Sequence, residues 1–435
     1  MSSALATRIA AEHAAAADTL PNSVVSRERR RAAIELLRTE GLPTSRDENW
    51  KYANLRPLEK VRFAPPPADA SNVVSLSNLP VPIEGYARYT FVDGVLVPAL
   101  CAGGVAVTSL RAGASPGGDA EGSLRTIASS RDARFALLND AFATDGAAIR
   151  VARNMDGPTR IELLFVASVE SQTASSYPRV ELEVEAGARV ELIERHLSVG
   201  SGANFVNGSF RVRLARGAAV THYRVQEAGL KAIWFDTLSA SLAEEARYRL
   251  LGVNAGGLFT RSTVNVQLAG ERAEASVSMA SLGDRQQVQD AFVLVEHAAP
   301  HARSEQTFRG IAAGRARVAF NGMVVVRTNA QGTDSQQSLR GLLAGPEAEI
   351  DVRPQLEIYT DDVRCAHGAT AGKLDEDMLF YLLSRGIEAA TAQRLLKWAF
   401  LEDVVARFEV PELRRQIERS LAGQLQEAAE LKEYL

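Results

Sequence analysis

Hydrophobic and polar positions change their period twice along this chain. From Ser26 to Thr39, Ala33, Ile34, Leu36 and Leu37 recur among charged residues as a helical stripe, and Gly41 and Pro43 stop it. A second short amphipathic piece surrounds Trp50, Tyr52 and Leu55, and Pro65, Pro66 and Pro67 follow as a stiff linker. Residues 68–123 mix short apolar runs with turn residues and include a loop, Gly113–Gly118, near their end. Leu124–Phe142 reads as helix again, with Ile127, Phe135, Leu138 and Phe142 roughly on one face.

From about residue 149 the period becomes that of strands. Ile161–Val166 and Val180–Val184 are β-branched runs suited to half-buried strands, and such runs recur for some 200 residues. They carry a repeat: Ala, any residue, a mostly apolar residue, any residue, then usually an apolar one. It occurs at Ala188, Ala218, Ala246, Ala273 (weakly), Ala316 and Ala348, at spacings of 30, 28, 27, 43 and 32 residues. Strand repeats of this length point to a solenoid or propeller. Short strands and tight joints favour a parallel β-helix, in which each coil buries small and apolar side chains against the next; a sandwich of look-alike hairpins is the alternative.

After Gly368 the helical period returns. Asp375 is placed to cap a helix through Met378, Leu379 and Tyr381–Leu383, with Gly386 suited to a left-handed cap. Thr391–Phe408 forms a second helix, with Leu396, Phe400, Val404 and Phe408 in line, and Pro411 opens a third that runs to the end. The expected organisation is a largely helical N-terminal region with short strands (1–148), a β-helix core (149–366) and a C-terminal helical region (367–435).

Composition narrows the function. The 435 residues are 46% hydrophobic, enough for a large core, and the formal net charge of −4 comes without the basic excess of a nucleic-acid binder. The longest mostly apolar run, Gly94–Val107, is too short to span a bilayer, and Arg8, Glu12 and Asp18 interrupt any signal-peptide core, so a cytoplasmic protein is expected. Two cysteines, Cys101 and Cys365, make neither a disulfide framework nor a four-thiolate site within one chain. A metal handled here needs other ligands or another subunit.

Gly368–Leu374 resembles a phosphate-binding loop, but it has three residues between its glycines, where the motif needs four, and Leu374 after Lys373, where it needs Ser or Thr. ATP hydrolysis by this chain is therefore not expected. Of the six histidines, His222 sits on a repeat strand, where it would need a partner, and His297 and His301 flank Pro300 as a metal pair or as ordinary loop residues. Cys365-Ala-His367 is different. It joins one of two thiols to an imidazole, and in an extended segment residues i and i+2 face the same side. A buried Cys beside a turn His remains as good a reading on chemistry alone. Glu357, Asp361 and Asp362 stand just before, and carboxylates in this stretch also permit a polysaccharide-active β-helix enzyme, against which aromatic content is low at 6%.

The segment Pro354–Gly372, containing Cys365-Ala-His367, resembles the signature of the SufB/SufD family, and Leu379–Ile387 looks like that family's Phe-Tyr-Leu-x-Ser-Arg-Gly-Ile stretch. Gln306–Gly310 and Val318–Met323 are similar to its penultimate coils, and Trp50–Tyr52 resembles the Trp-Lys-Tyr of its D branch. The likeness runs from about residue 40 to 405. Two cysteines, and Gly368 after the histidine, point to the D branch; Ala366 stands where the family usually has Ser.

The resemblance implies a right-handed parallel β-helix between helical regions. It implies a non-enzymatic scaffold subunit for iron–sulfur cluster assembly, paired with a B-type subunit and with an ABC-type ATPase docked on the helices from Asp375 to about Phe408. His367 is implied as a ligand or assembly residue for a transient iron–sulfur cluster at the B–D interface, with Cys365 in support. A homodimer of the isolated chain is an expectation of the same kind. A purely structural partner without a cluster ligand is the rival, and the sequence leaves open whether a reduced flavin binds.

Overall fold

The computed structural model describes residues 2–425, except 54, 66–73, 75, 76, 78, 105, 106, 114–130, 155, 169–173 and 201. Its core is a parallel β-solenoid with two strands per coil, wound into two facing ten-stranded sheets. Consecutive coils pair in register, so side chains two residues apart on a strand generate straight columns inside the lumen. One column reads Leu192, His222, Leu250, Val277, Gln306, Gln337, His367, and its neighbour reads Val190, Val220, Tyr248, Ala275, Ser304, Ser335, Cys365. Most lumen positions are Val, Leu, Ile or Phe, each contributing about 1.5–3 kcal/mol when fully buried.

The repeat alanines sit in the turns. Gly187, Gly217, Glu245, Arg272 and His301 adopt positive φ, and each is followed by a fully buried alanine: Ala188, Ala218, Ala246, Ala273 and Ala302. Each positive-φ residue donates its N–H to a carbonyl of the next turn in the stack, as from Gly217 to Glu244 and from Glu245 to Glu271. A side chain larger than methyl would enter the space between stacked turns. Ala316 and Ala348 belong to the turns on the opposite side of the solenoid, after the strands Arg303–Ala313 and Thr333–Ala344. The irregular 43-residue spacing therefore joins two turn series, and Ala302 is the member that the sequence pattern missed.

Each sheet carries a helical jacket on its outer face. On one side lie helices Ser2–Ala16, Arg27–Glu40 and Phe135–Phe142. Ser26 caps the second, its hydroxyl accepting from the N–H of Arg29. Trp50 stacks on Phe135 at 5.1 Å and donates its indole N–H to Asp132 at 3.0 Å. The buried Asp140 pairs with Arg29 at 2.8 Å and with Arg179 of the sheet at 2.7 Å, which pins this layer down. Of the helix expected over Leu124–Phe142, Phe135–Phe142 is helical and Arg131–Ala133 is a 3-10 turn; Leu124–Ser130 lie outside the described residues. On the other side, helices Ala389–Val405 and Pro411–Gln424 set Trp398, Leu401, Val404, Leu413 and Ile417 against Tyr223, Val225, Leu251 and Val253.

The two ends of the solenoid differ. At the first coil each sheet finishes on a short antiparallel strand, Val95–Leu96 or Val107–Ser109. At the last coil each finishes on a ten-residue parallel strand, Glu349–Ile358 or Val363–Gly372, with one edge unpaired among the described residues. Pro354 lies in the first of these, as suits an edge strand. The strand Val363–Gly372 runs through the boundary expected at 366/367, and the helical region starts at Glu376. At the other end, Ala87–Val92 pairs in parallel with Thr159–Ala167, so the solenoid takes in part of the region assigned to the N-terminal 148 residues.

Candidate functional site

Cys365 and His367 stand on the terminal strand, two positions apart and on the lumen side, next in register to the buried Ser335 and Gln337. The sequence expectation that both face one direction is met, but their environments differ. Cys365 is half-buried and packs with Val324, Val326, Ala330 and Leu356. Burial pushes its thiol pKa up, the Asp334 charge adds to the shift, and the Ser335 backbone opposes it. His367 is exposed, because no further coil covers it among the described residues. Across the lumen, Ile350, Val352 and Leu356 are half-buried at the same open end, and Ile358 and Tyr359 are 40% and 55% exposed.

The other candidates separate from this site. Cys101 lies at the opposite end of the solenoid, its thiol donating to the Val97 carbonyl at 3.3 Å, so the two thiols do not meet within one chain. His297 is buried in the lumen, with Nε2 at 2.8 Å from the Ser304 hydroxyl, and burial lowers its pKa to about 4. His301 occupies a left-handed turn and sits against Gly332. His222 is buried in the lumen as its strand position suggested, with Nδ1 at 2.9 Å from the Tyr248 hydroxyl and Nε2 at 2.9 Å from Glu194. Among the described residues no three His, Cys, Asp or Glu side chains gather as a metal site. Gly368–Gly372 is extended strand, not a loop wrapped for phosphate.

Two features escaped the sequence reading. One is a buried polar group in the lumen: Glu194, His196, Arg224 and Asp236. The alternation of the repeat strands held the signal, since Glu194 falls two residues after the lumen-facing Leu192. The other is the exposure of the apolar residues on the expected helix, Glu376–Ser384, which Asp375 caps as the sequence suggested, its carboxylate accepting from the N–H groups of Asp377 and Met378 at 3.0 Å each. The helix has no buried residue, and Met378, Phe380 and Tyr381 are 58%, 72% and 57% exposed. An exposed apolar cluster of this kind marks an interaction surface. No helix among the described residues is long and apolar enough to cross a membrane.

The model of the family described as "SUF system FeS cluster assembly, SufBD core domain" matches residues 165–400. The chain is 31% identical to the iron–sulfur cluster assembly protein SufD of Escherichia coli K12 over 387 residues, covering 88% of this chain and 89% of that protein. It is 27% identical to a SufBD family protein of Synechocystis over 407 residues (91% and 90% of the two chains) and 26% identical to one of Mycobacterium tuberculosis over 393 residues (88% and 90%). With a matched core of more than half its length and a relative of this identity aligned along nearly all of it, the chain belongs to the SufBD family of iron–sulfur cluster assembly proteins.

Proposed function

We propose that this chain is the D-type scaffold subunit of a cytoplasmic SUF assembly complex, not itself an enzyme. It joins a B-type subunit through the last coil and takes part there, through His367 with Cys365 in support, in building a transient iron–sulfur cluster. The cluster is cargo: His367 offers a neutral ring nitrogen to iron, and the remaining thiolate ligands come from the partner. This answers the cysteine arithmetic, in which one chain is short of ligands and two chains sharing a site are not.

The observation that carries the reading is the open end itself. Long edge strands over a half-exposed apolar lumen are an aggregation liability when left bare, and here they carry the only thiol–imidazole pair of the sequence. The exposed Met378, Phe380 and Tyr381 offer an ABC-type ATPase an apolar anchor beside that end. In isolation, a second copy of the chain is the natural substitute for the B-type subunit.

The test is anaerobic affinity purification from the native host, comparing the wild type with His367→Ala. A homologous larger subunit and a small ATPase should co-purify with both, and cluster content should fall only in the variant. A wild-type chain that emerges alone under gentle conditions overturns the partner assignment. Normal cluster content in His367→Ala removes His367 from the site.

A further inference from the structure

The lumen column that ends at His367 changes character in its last coils. Gln306 and Gln337 follow Val277 in register and lead directly to His367. Buried amides are costly unless bonded, and here the donors are used. Gln306 Nε2 donates to the Met323 carbonyl at 3.2 Å. Gln337 Nε2 donates to Gln306 Oε1 at 3.2 Å and to the Gly322 carbonyl at 2.9 Å. Gly322 provides the room, since a Cβ there would lie 2.4 Å from Gln306 Oε1 and 3.0 Å from Gln337 Nε2.

With the two amide protons of Gln337 taken up, the orientation of its amide is fixed. Gln337 is 4% exposed, and this Oε1 is buried without a hydrogen-bond partner among the described residues. The next side chain along the ladder is His367, one strand spacing of about 4.8 Å further on.

We infer that Gln337 Oε1 is the acceptor that holds the His367 ring. One ring N–H donates to it, and the other nitrogen presents its lone pair outward at the open end. A metal-binding imidazole needs such a partner to fix its tautomer and orientation. Gln337 is thus a positioning residue, and Gln306 and Gly322 clamp it. The inference rests on the reading of His367 as a ligand, but its test does not depend on a cluster.

The experiment is NMR of the full-length chain with ring-¹⁵N histidine, at one pH above the imidazole range. The His367 signal is identified by its loss in His367→Ala. The wild type should hold His367 largely in one neutral tautomer. Gln337→Met should relax the ratio by about twofold to tenfold towards that of an unconstrained histidine peptide, the range one net hydrogen bond supplies. Gln306→Met releases the clamp on Gln337 and should move the ratio the same way, giving a second route if Gln337→Met does not fold.

An unchanged ratio in folded Gln337→Met or Gln306→Met overturns the inference while leaving the ligand reading standing. A Gln337-dependent tautomer together with normal cluster content in His367→Ala does the reverse.

Discussion

Arg224 on one sheet reaches across the lumen to pair with Asp236 on the facing sheet, and both are closed off from solvent. Arg224 also lies 3.3 Å from Glu194, whose second oxygen contacts His196. Burial disfavours charge on both carboxylates, but they resolve differently. Glu194 is held well below the usual range, because Arg224, His196 and His222 outweigh its burial. Asp236 is pushed up to about 7, because burial, helped by the Glu194 charge, outweighs Arg224.

The native state therefore keeps a proton on Asp236 that the unfolded chain has lost above its ordinary value of 3.8. This contribution is complete below that value and is lost as pH rises towards 7. Asp236→Asn should remove that slope. The difference between wild-type and variant unfolding free energies in urea should change by a few kcal/mol, on the order of 1.4 per pKa unit, between the acid and neutral ends. Parallel pH profiles for the two proteins would contradict the assignment.

His297 works in the opposite direction. Burial lowers its pKa from 6.5 to about 4, so below 6.5 the unfolded chain binds a proton that the folded chain refuses. Stability from this group is complete above the unfolded value and is lost as pH falls towards 4, by about 3 kcal/mol in all. His297→Gln should lessen that acid-side loss. Thermal melts at pH steps across the window measure it, and an unaltered acid slope would count against the buried neutral imidazole.

Ala246 is fully buried behind the left-handed Glu245, between stacked turns. Ala246→Leu should destabilise by about 1–3 kcal/mol through overpacking, read as a lower denaturant midpoint. A neutral result would mean that the turn stack has slack.

Phe380 is 72% exposed on a helix with no buried residue. Phe380→Asp should leave stability within about 0.5 kcal/mol, yet lower retention of the ATPase in co-purification several-fold. Undiminished retention would move the docking surface elsewhere.

The solenoid was legible because its strands alternate and its turns repeat an alanine, both local signals. The second turn series was not, since Ala316 and Ala348 obey the same pattern from the opposite side, and only the winding of the chain tells them apart. The shared direction of Cys365 and His367 followed from strand geometry alone. What the sequence could not supply was which coil each residue stacks upon. Gln306, Gln337 and His367 are separated by some thirty residues each and become neighbours only through register. The helix Glu376–Ser384 was legible as a helix, but the exposure of Met378, Phe380 and Tyr381 on it was not.

The finished first coil and the bare last one give the stack a polarity. Any strand that adds to the last coil must match two edges at once. A slip of one residue would turn its lumen side chains outward. A slip of two would keep the lumen side chains inward but set different columns end to end. Recognition at this end is thus digital: a partner is admitted in one register or excluded, and the identities of a few column residues serve as the key.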